Sequence, residues 1–199
     1  MEKVIGQHRG QGLHPYKINF MAKFIFLQPE ELQQIATKLA TWMPPMVSWN
    51  SCMIAESLEL YTVDMSDLNS AKSARDCLRS TGIWHIQIRI DQTAAYFARV
   101  ARVGNSNEWK VNAVYGPGLP IKIDTALTWI DQYIHDDFVV SIFELADYFI
   151  TGLTLEKGDD IRVYIVSTVP GLKVETGKLY RFDEMRGLLV HQAPVHGVQ

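Results

Sequence analysis

The stretch GIWHIQIRID, residues 82–91, decides how this chain folds: Trp84, Ile86, Ile88 and Ile90 alternate with His85, Gln87 and Arg89 at the period of a strand. One face of such a strand goes to a core, and a register slip of one residue would exchange the two faces. Downstream, AAYFARVARV (94–103) and EWKVNAVY (108–115) flank the turn-rich GNSN and form a hairpin pattern. Together with the strand before it, this pattern predicts a three-stranded antiparallel meander near 83–115. If the isoleucines pack inward, His85, Gln87 and Arg89 share the opposite face, and the neighbouring strands add Arg99, Arg102 and Lys110.

Charge is distributed unevenly around this meander. Seven basic residues face three acidic ones between Lys72 and Lys110, whereas nine acids accompany the single Lys157 between Asp124 and Asp160. The net charge of −3 hides this division. The two blocks either pair with each other in the fold or address different partners. A polar face of an antiparallel sheet is commonly left in water. Here the alternatives are a solvated face, a face covered by the acidic C-terminal half, or a ligand site. As a ligand site, His85, Gln87, Arg89, Arg99, Arg102 and Lys110 would hold an anionic ligand or nucleic acid, with Tyr96 or Trp109 stacking on a planar group.

Outward from the meander, QPEELQQIATKLATWMPP predicts a helix from Gln28. Pro29 suits its first position, Glu30 and Glu31 favour its positive end, and Pro44 and Pro45 stop it. IAESLELYTVD alternates imperfectly, as a strand. SDLNSAKSARDCLRSTG reads as a helix ended by Gly82. A further helix is expected from about Thr125 to His135. The stretch 155–163, Leu-x-x-Gly-Asp-x-Ile-x-Val, is turn chemistry entering a strand, and GKLYRFDEMRGLLVHQAP offers one or two short strands. Residues 1–20 read as a mobile arm and 21–199 as one α+β domain, with 116–120 the place where it would subdivide. The expected fold is α+β: an antiparallel sheet with helices packed on one side.

Several chemistries are weighed by spacing. In YIHDDFVVSIFELADYF, His135, Asp136 and Asp137 precede Glu144 and Asp147, and Asp131 stands four residues before His135. These groups define a runner-up function, a small hydrolase using carboxylates and a histidine around 131–147. Ser141-x-x-Glu144 matches a capping box, which predicts a helix starting at Ile142 and assigns Glu144 a structural role. GPGLP (116–120) resembles a phosphate loop, but Pro117 and Pro120 remove two backbone donors and Asp124, expected as the next N-cap, would repel an anion. Neither GxxxxGK[ST] nor GxGxxG occurs. The pairs His8/His14 and His191/His196 lack the further ligands of a structural zinc site. No catalytic residue, metal or cofactor is expected.

At 199 residues and 47% hydrophobic, the chain can bury a sizeable core. It has no run of 18 apolar residues and no secretory pattern, and Cys52 and Cys77 lie 25 positions apart without a CxxC partner. The expectation is a soluble cytoplasmic protein with reduced thiols, no membrane association and an oligomeric state open between monomer and homodimer. Its leading function is a non-catalytic intracellular binding or regulatory module that uses the basic strand face.

Overall fold

The computed structural model describes residues 23–24, 27–45, 47–70, 73–104 and 106–192. The arm expected over 1–20, the pair His8/His14 and His196 lie outside them. The chain runs β1 (Lys23–Phe24), α1 (Pro29–Leu39), β2 (Cys52–Thr62), α2 (Met65–Leu68), α3 (Ala74–Cys77), β3 (Arg79–Ile90), β4 (Thr93–Arg102), β5 (Trp109–Tyr115), α4 (Gly118–Tyr133), β6 (Val139–Leu145), β7 (Ile150–Lys157), β8 (Asp160–Ser167), β9 (Leu179–Arg181) and α5 (Phe182–Leu189). All strands join one sheet in the order β5-β4-β3-β2-β6-β7-β8-β9, with β1 also alongside β6. Two antiparallel meanders, β2 to β5 and β6 to β9, meet where Leu60–Thr62 runs parallel to Ile142–Glu144.

The first meander follows its alternation. Ile86 and Ile88 of β3 lie opposite Ala98 and Tyr96 of β4. Asp91 and Gln92, both at positive φ (48° and 69°), form the two-residue turn between these strands, the geometry that matches strand twist. Ile86, Ile88, Ala98 and Val100 bury against Ile35 and Leu39 of α1. α1 begins as expected, with the Gln28 N–H donating to Glu31 Oε2 at 2.9 Å.

Helices cover both faces of the sheet, which corrects the one-sided packing expected. Ile123, Leu127 and Ile130 of α4 pack with Leu58, Leu60, Ile142 and Leu153 on one face. The other face is shared by α1 and, over the second meander, by α5 with Phe143, Val163 and Ile165. The cause lies in β6 and β8, where Val140–Phe143 and Val163–Val166 are buried at consecutive positions. A strand apolar on both sides needs cover on both sides.

Other elements differ from their sequence pattern. Residues 139–145 form strand β6, so Ser141 is no helix cap: it is buried and lies opposite Thr154 of β7. Burying alternate residues on the two faces outweighs a capping signal worth about 1 kcal/mol. α4 starts earlier than expected, at Gly118 after Pro117, and Asp124 sits in its second turn instead of capping it. Pro120 is tolerated there because first-turn N–H groups have no partner within the helix. At the C-terminus, Leu179–Arg181 is the expected strand, but a helix follows, burying Phe182, Met185 and Leu189 at helical spacing.

The helix expected over 66–82 is reduced to two single turns, α2 and α3, and β3 begins before Gly82. Gly82 (φ +67°) instead serves the irregular register between Leu60/Ile83 and Tyr61/Ser80. α3 owes its start to Ser73, whose Oγ accepts from the Asp76 N–H at 3.3 Å. Ser73→Ala is expected to lower stability by about 1 kcal/mol, seen as an earlier urea midpoint at unchanged slope. Superimposable curves would remove the cap from the account. Among the described residues no helix is long and apolar enough to cross a membrane.

Candidate functional site

On β3, His85, Gln87 and Arg89 point to the same face by the strand period, and α4 lies across that face. Arg99 of β4 stands directly opposite His85. Glu56 arrives through a bulge: Ile54 pairs with Ile88 but Ser57 pairs with Ile86, so β2 carries one extra residue here and Glu56 turns toward Arg89. Asp124 comes from α4 and Glu144 from β6. The result is a polar seam between helix and sheet.

Its connections are specific. Arg89 Nη2 contacts Glu56 Oε1 at 3.0 Å and Asp124 Oδ1 at 2.5 Å, and Gln87 Nε2 donates to the same Asp124 oxygen at 3.3 Å. Arg99 Nη2 pairs with Glu144 Oε1, while its Nε donates to His85 Nε2 at 3.0 Å. His85 stacks on Phe97 at 4.8 Å between ring centroids, Phe97 stacks on Tyr115 at 4.6 Å, and the Arg99 guanidinium lies 5.4 Å from the Tyr115 ring centre. At the edges of the seam Tyr115 is 40% exposed and the Asp124 side chain 33% exposed.

Burial, reinforced by the Arg99 charge, pushes His85 down to about 3. The imidazole is therefore neutral at pH 7, and because Nε2 accepts from Arg99, Nδ1 carries the proton. Burial also raises the Glu56 carboxyl, against the opposing attraction of Arg89. His85, Gln87 and Glu56 are only 2%, 4% and 9% exposed, yet His85 Nδ1, Gln87 Oε1, Glu56 Oε2 and Arg89 Nε are all buried without a hydrogen-bond partner.

Four of the six residues singled out on the basic face thus come together. Arg102 does not: it lies on the opposite side of the sheet, paired with Glu31 of α1 and 5.4 Å from the Trp109 ring centre. Lys110 is exposed on the outer strand β5. Asp124 and Glu144 belong to the acidic block whose pairing with this face is one of the alternatives above, whereas Glu56, Phe97 and Tyr115 join the site from outside that pattern. The break in alternation at Ile54-Ala55-Glu56-Ser57-Leu58 is the one signal that pointed to the bulge and hence to Glu56.

The carboxylates and histidine around 131–147 are not gathered. Asp136 pairs with Lys157 at 2.8 Å near the start of β6, while Glu144 faces Arg99 at its other end. The seven residues of that strand put about 20 Å between the two ends. Asp147 is exposed in the turn after β6, and among the described residues no group of three or more His, Cys, Asp or Glu side chains could hold a metal. His191 is exposed just past α5.

Compared with protein-family models, with curated proteins and with solved structures, the chain matches none.

Proposed function

We propose that this protein is an intracellular, non-catalytic binding module that takes a small, uncharged polar molecule into the seam between α4 and strands β2 to β4. The observation that carries this reading is the set of four buried, unpartnered polar atoms. Each costs about 1–3 kcal/mol if left dry, and the sum rivals the whole stability of a domain, about 5–15 kcal/mol. Water or a bound molecule that completes these bonds removes that cost. His85 Nδ1 and Arg89 Nε offer donors, and Gln87 Oε1 and Glu56 Oε2 offer acceptors. A molecule with hydroxyl or amide groups supplies both kinds, and the stacked His85–Phe97–Tyr115 rings form an apolar wall for its carbon face.

Charge favours a neutral ligand over nucleic acid. The seam holds two guanidiniums and three carboxylates, and each arginine is already bound to a carboxylate. A phosphate would have to displace those partners while facing the rest. An intracellular setting is supported by Cys52 and Cys77, both free thiols.

Ligand-observed NMR with a library of polyols, monosaccharides and primary amides tests the reading. Binders should appear in the parent and be lost in Gln87→Met, which keeps side-chain volume and removes both amide atoms. Binding that persists unchanged in Gln87→Met, or a library without binders beside a crystal structure showing ordered waters on all four atoms, would make the seam a hydrated structural layer.

A further inference from the structure

At the far end of the sheet, five strand spacings or about 24 Å from β3, an open depression of about 440 Å³ is lined by Asp160, Arg162, Leu179, Tyr180, Arg181 and Glu184. Its charges are balanced in number but not in pairing. Arg162 on β8 grips Asp160, with Nη2–Oδ2 at 2.7 Å and Nε–Oδ2 at 3.1 Å, and its guanidinium rests 5.0 Å from the Phe138 ring centre. Arg181 on β9 is the direct cross-strand partner of Arg162. Like charges in that relation, roughly 5 Å apart at Cβ, destabilise a sheet, and Asp160 is bonded to only one of them. Among the described residues Arg181 makes no ion pair, and neither does Glu184 in the first turn of α5.

The depression therefore presents a guanidinium, Arg181, that acts on Asp160 only at longer range, and a carboxylate, Glu184, that makes no ion pair, beside apolar Leu179. We infer that it is a second binding site, separate from the seam, for a small dipolar ion of the amino-acid type. A carboxylate is taken by Arg181, with the Arg162 charge behind it, an ammonium by Glu184, and an aliphatic side chain lies on Leu179. A simple anion would gain Arg181 but meet Glu184, and a simple cation would meet the reverse. Only a molecule carrying both charges uses both groups. The volume fits, since pockets for small ligands start near 300 Å³.

Titration of the full chain with L-leucine, followed by amide NMR shifts, tests the site. Two probes divide its charges: 4-methylpentanoate lacks the ammonium, and 3-methylbutylamine lacks the carboxylate. Leucine should shift resonances of β9 and the start of α5 and bind about threefold more tightly than either probe, since a solvent-exposed charge pair is worth about 0.2–1 kcal/mol. Arg181→Ala and Glu184→Gln should each weaken leucine by a similar factor. Both residues are exposed, so thermal melts of the variants should stay near the parent's, separating lost binding from lost fold. Equal binding of 4-methylpentanoate and leucine, leucine affinity unchanged in either variant, or the absence of shifts around β9 would each overturn the proposal. None of these outcomes bears on the seam.

Discussion

Gly152→Ala is expected to destabilise the protein by about 3 kcal/mol, near the upper end for overpacking a core. Gly152 lies in β7 directly opposite Phe143 of β6. A Cβ built there would overlap the Phe143 ring and come within 2.7 Å of the Tyr164 carbonyl oxygen. Neither neighbour can withdraw cheaply. Phe143 is fully buried in the cluster that holds α5 to the sheet, and the Tyr164 oxygen is main chain of β8, a strand paired on both sides. The added methyl therefore has to push whole strands apart, although alanine by itself suits a strand better than glycine. Urea denaturation of parent and variant gives the difference. Phe143→Leu in the Gly152→Ala background should recover part of the loss, because it removes the ring atoms in the way. Coincident curves for parent and Gly152→Ala would mean that β6 and β7 are not packed at this distance.

Gly152 also illustrates which parts of the fold can be seen in the chain. The first meander is visible because its strands keep a period of two, and α1 because Pro29, the early glutamates and the apolar stripe all agree. β6 is not. Val139 to Leu145 is an apolar run too short for periodicity to separate helix from strand, and Ser141 and Glu144 carry a local helix signal that long-range pairing overrides. α5 fails in the opposite sense: Phe182 and Met185 fit a helical stripe, but eight residues after a strand pattern look like more strand. For the seam, alternation placed His85, Gln87 and Arg89 on one face, and the charge division announced that acids from later in the chain could meet them. Which acids do so depends on α4 crossing that face and on a bulge in β2, neither of which leaves more than a break in alternation.

His85 gives the second large effect, through pH. In the unfolded chain its pKa returns to about 6.5, whereas in the fold it is about 3. Between those values the unfolded chain binds a proton that the folded chain refuses. The stability due to the neutral imidazole is thus complete above pH 6.5 and lost as pH falls toward 3. At pH 4.5, two units below the unfolded value, the loss is about 2.5 kcal/mol. Other groups titrate in the same range. Glu56 acts with the opposite sign, because its raised pKa favours the fold as pH falls, and the lowered Asp136 and Asp160 add to the acid loss. The measurement is therefore a difference between proteins. His85→Gln keeps an acceptor for Arg99 but cannot titrate, so the parent's stability should fall more steeply than the variant's between pH 6.5 and 4.5, by about 2.5 kcal/mol in total. Parallel stability profiles would place His85 in contact with water and remove the fixed neutral tautomer. That tautomer is what makes Nδ1–H a permanent donor in the seam, so parallel profiles would also remove one of the four atoms on which the proposed ligand rests.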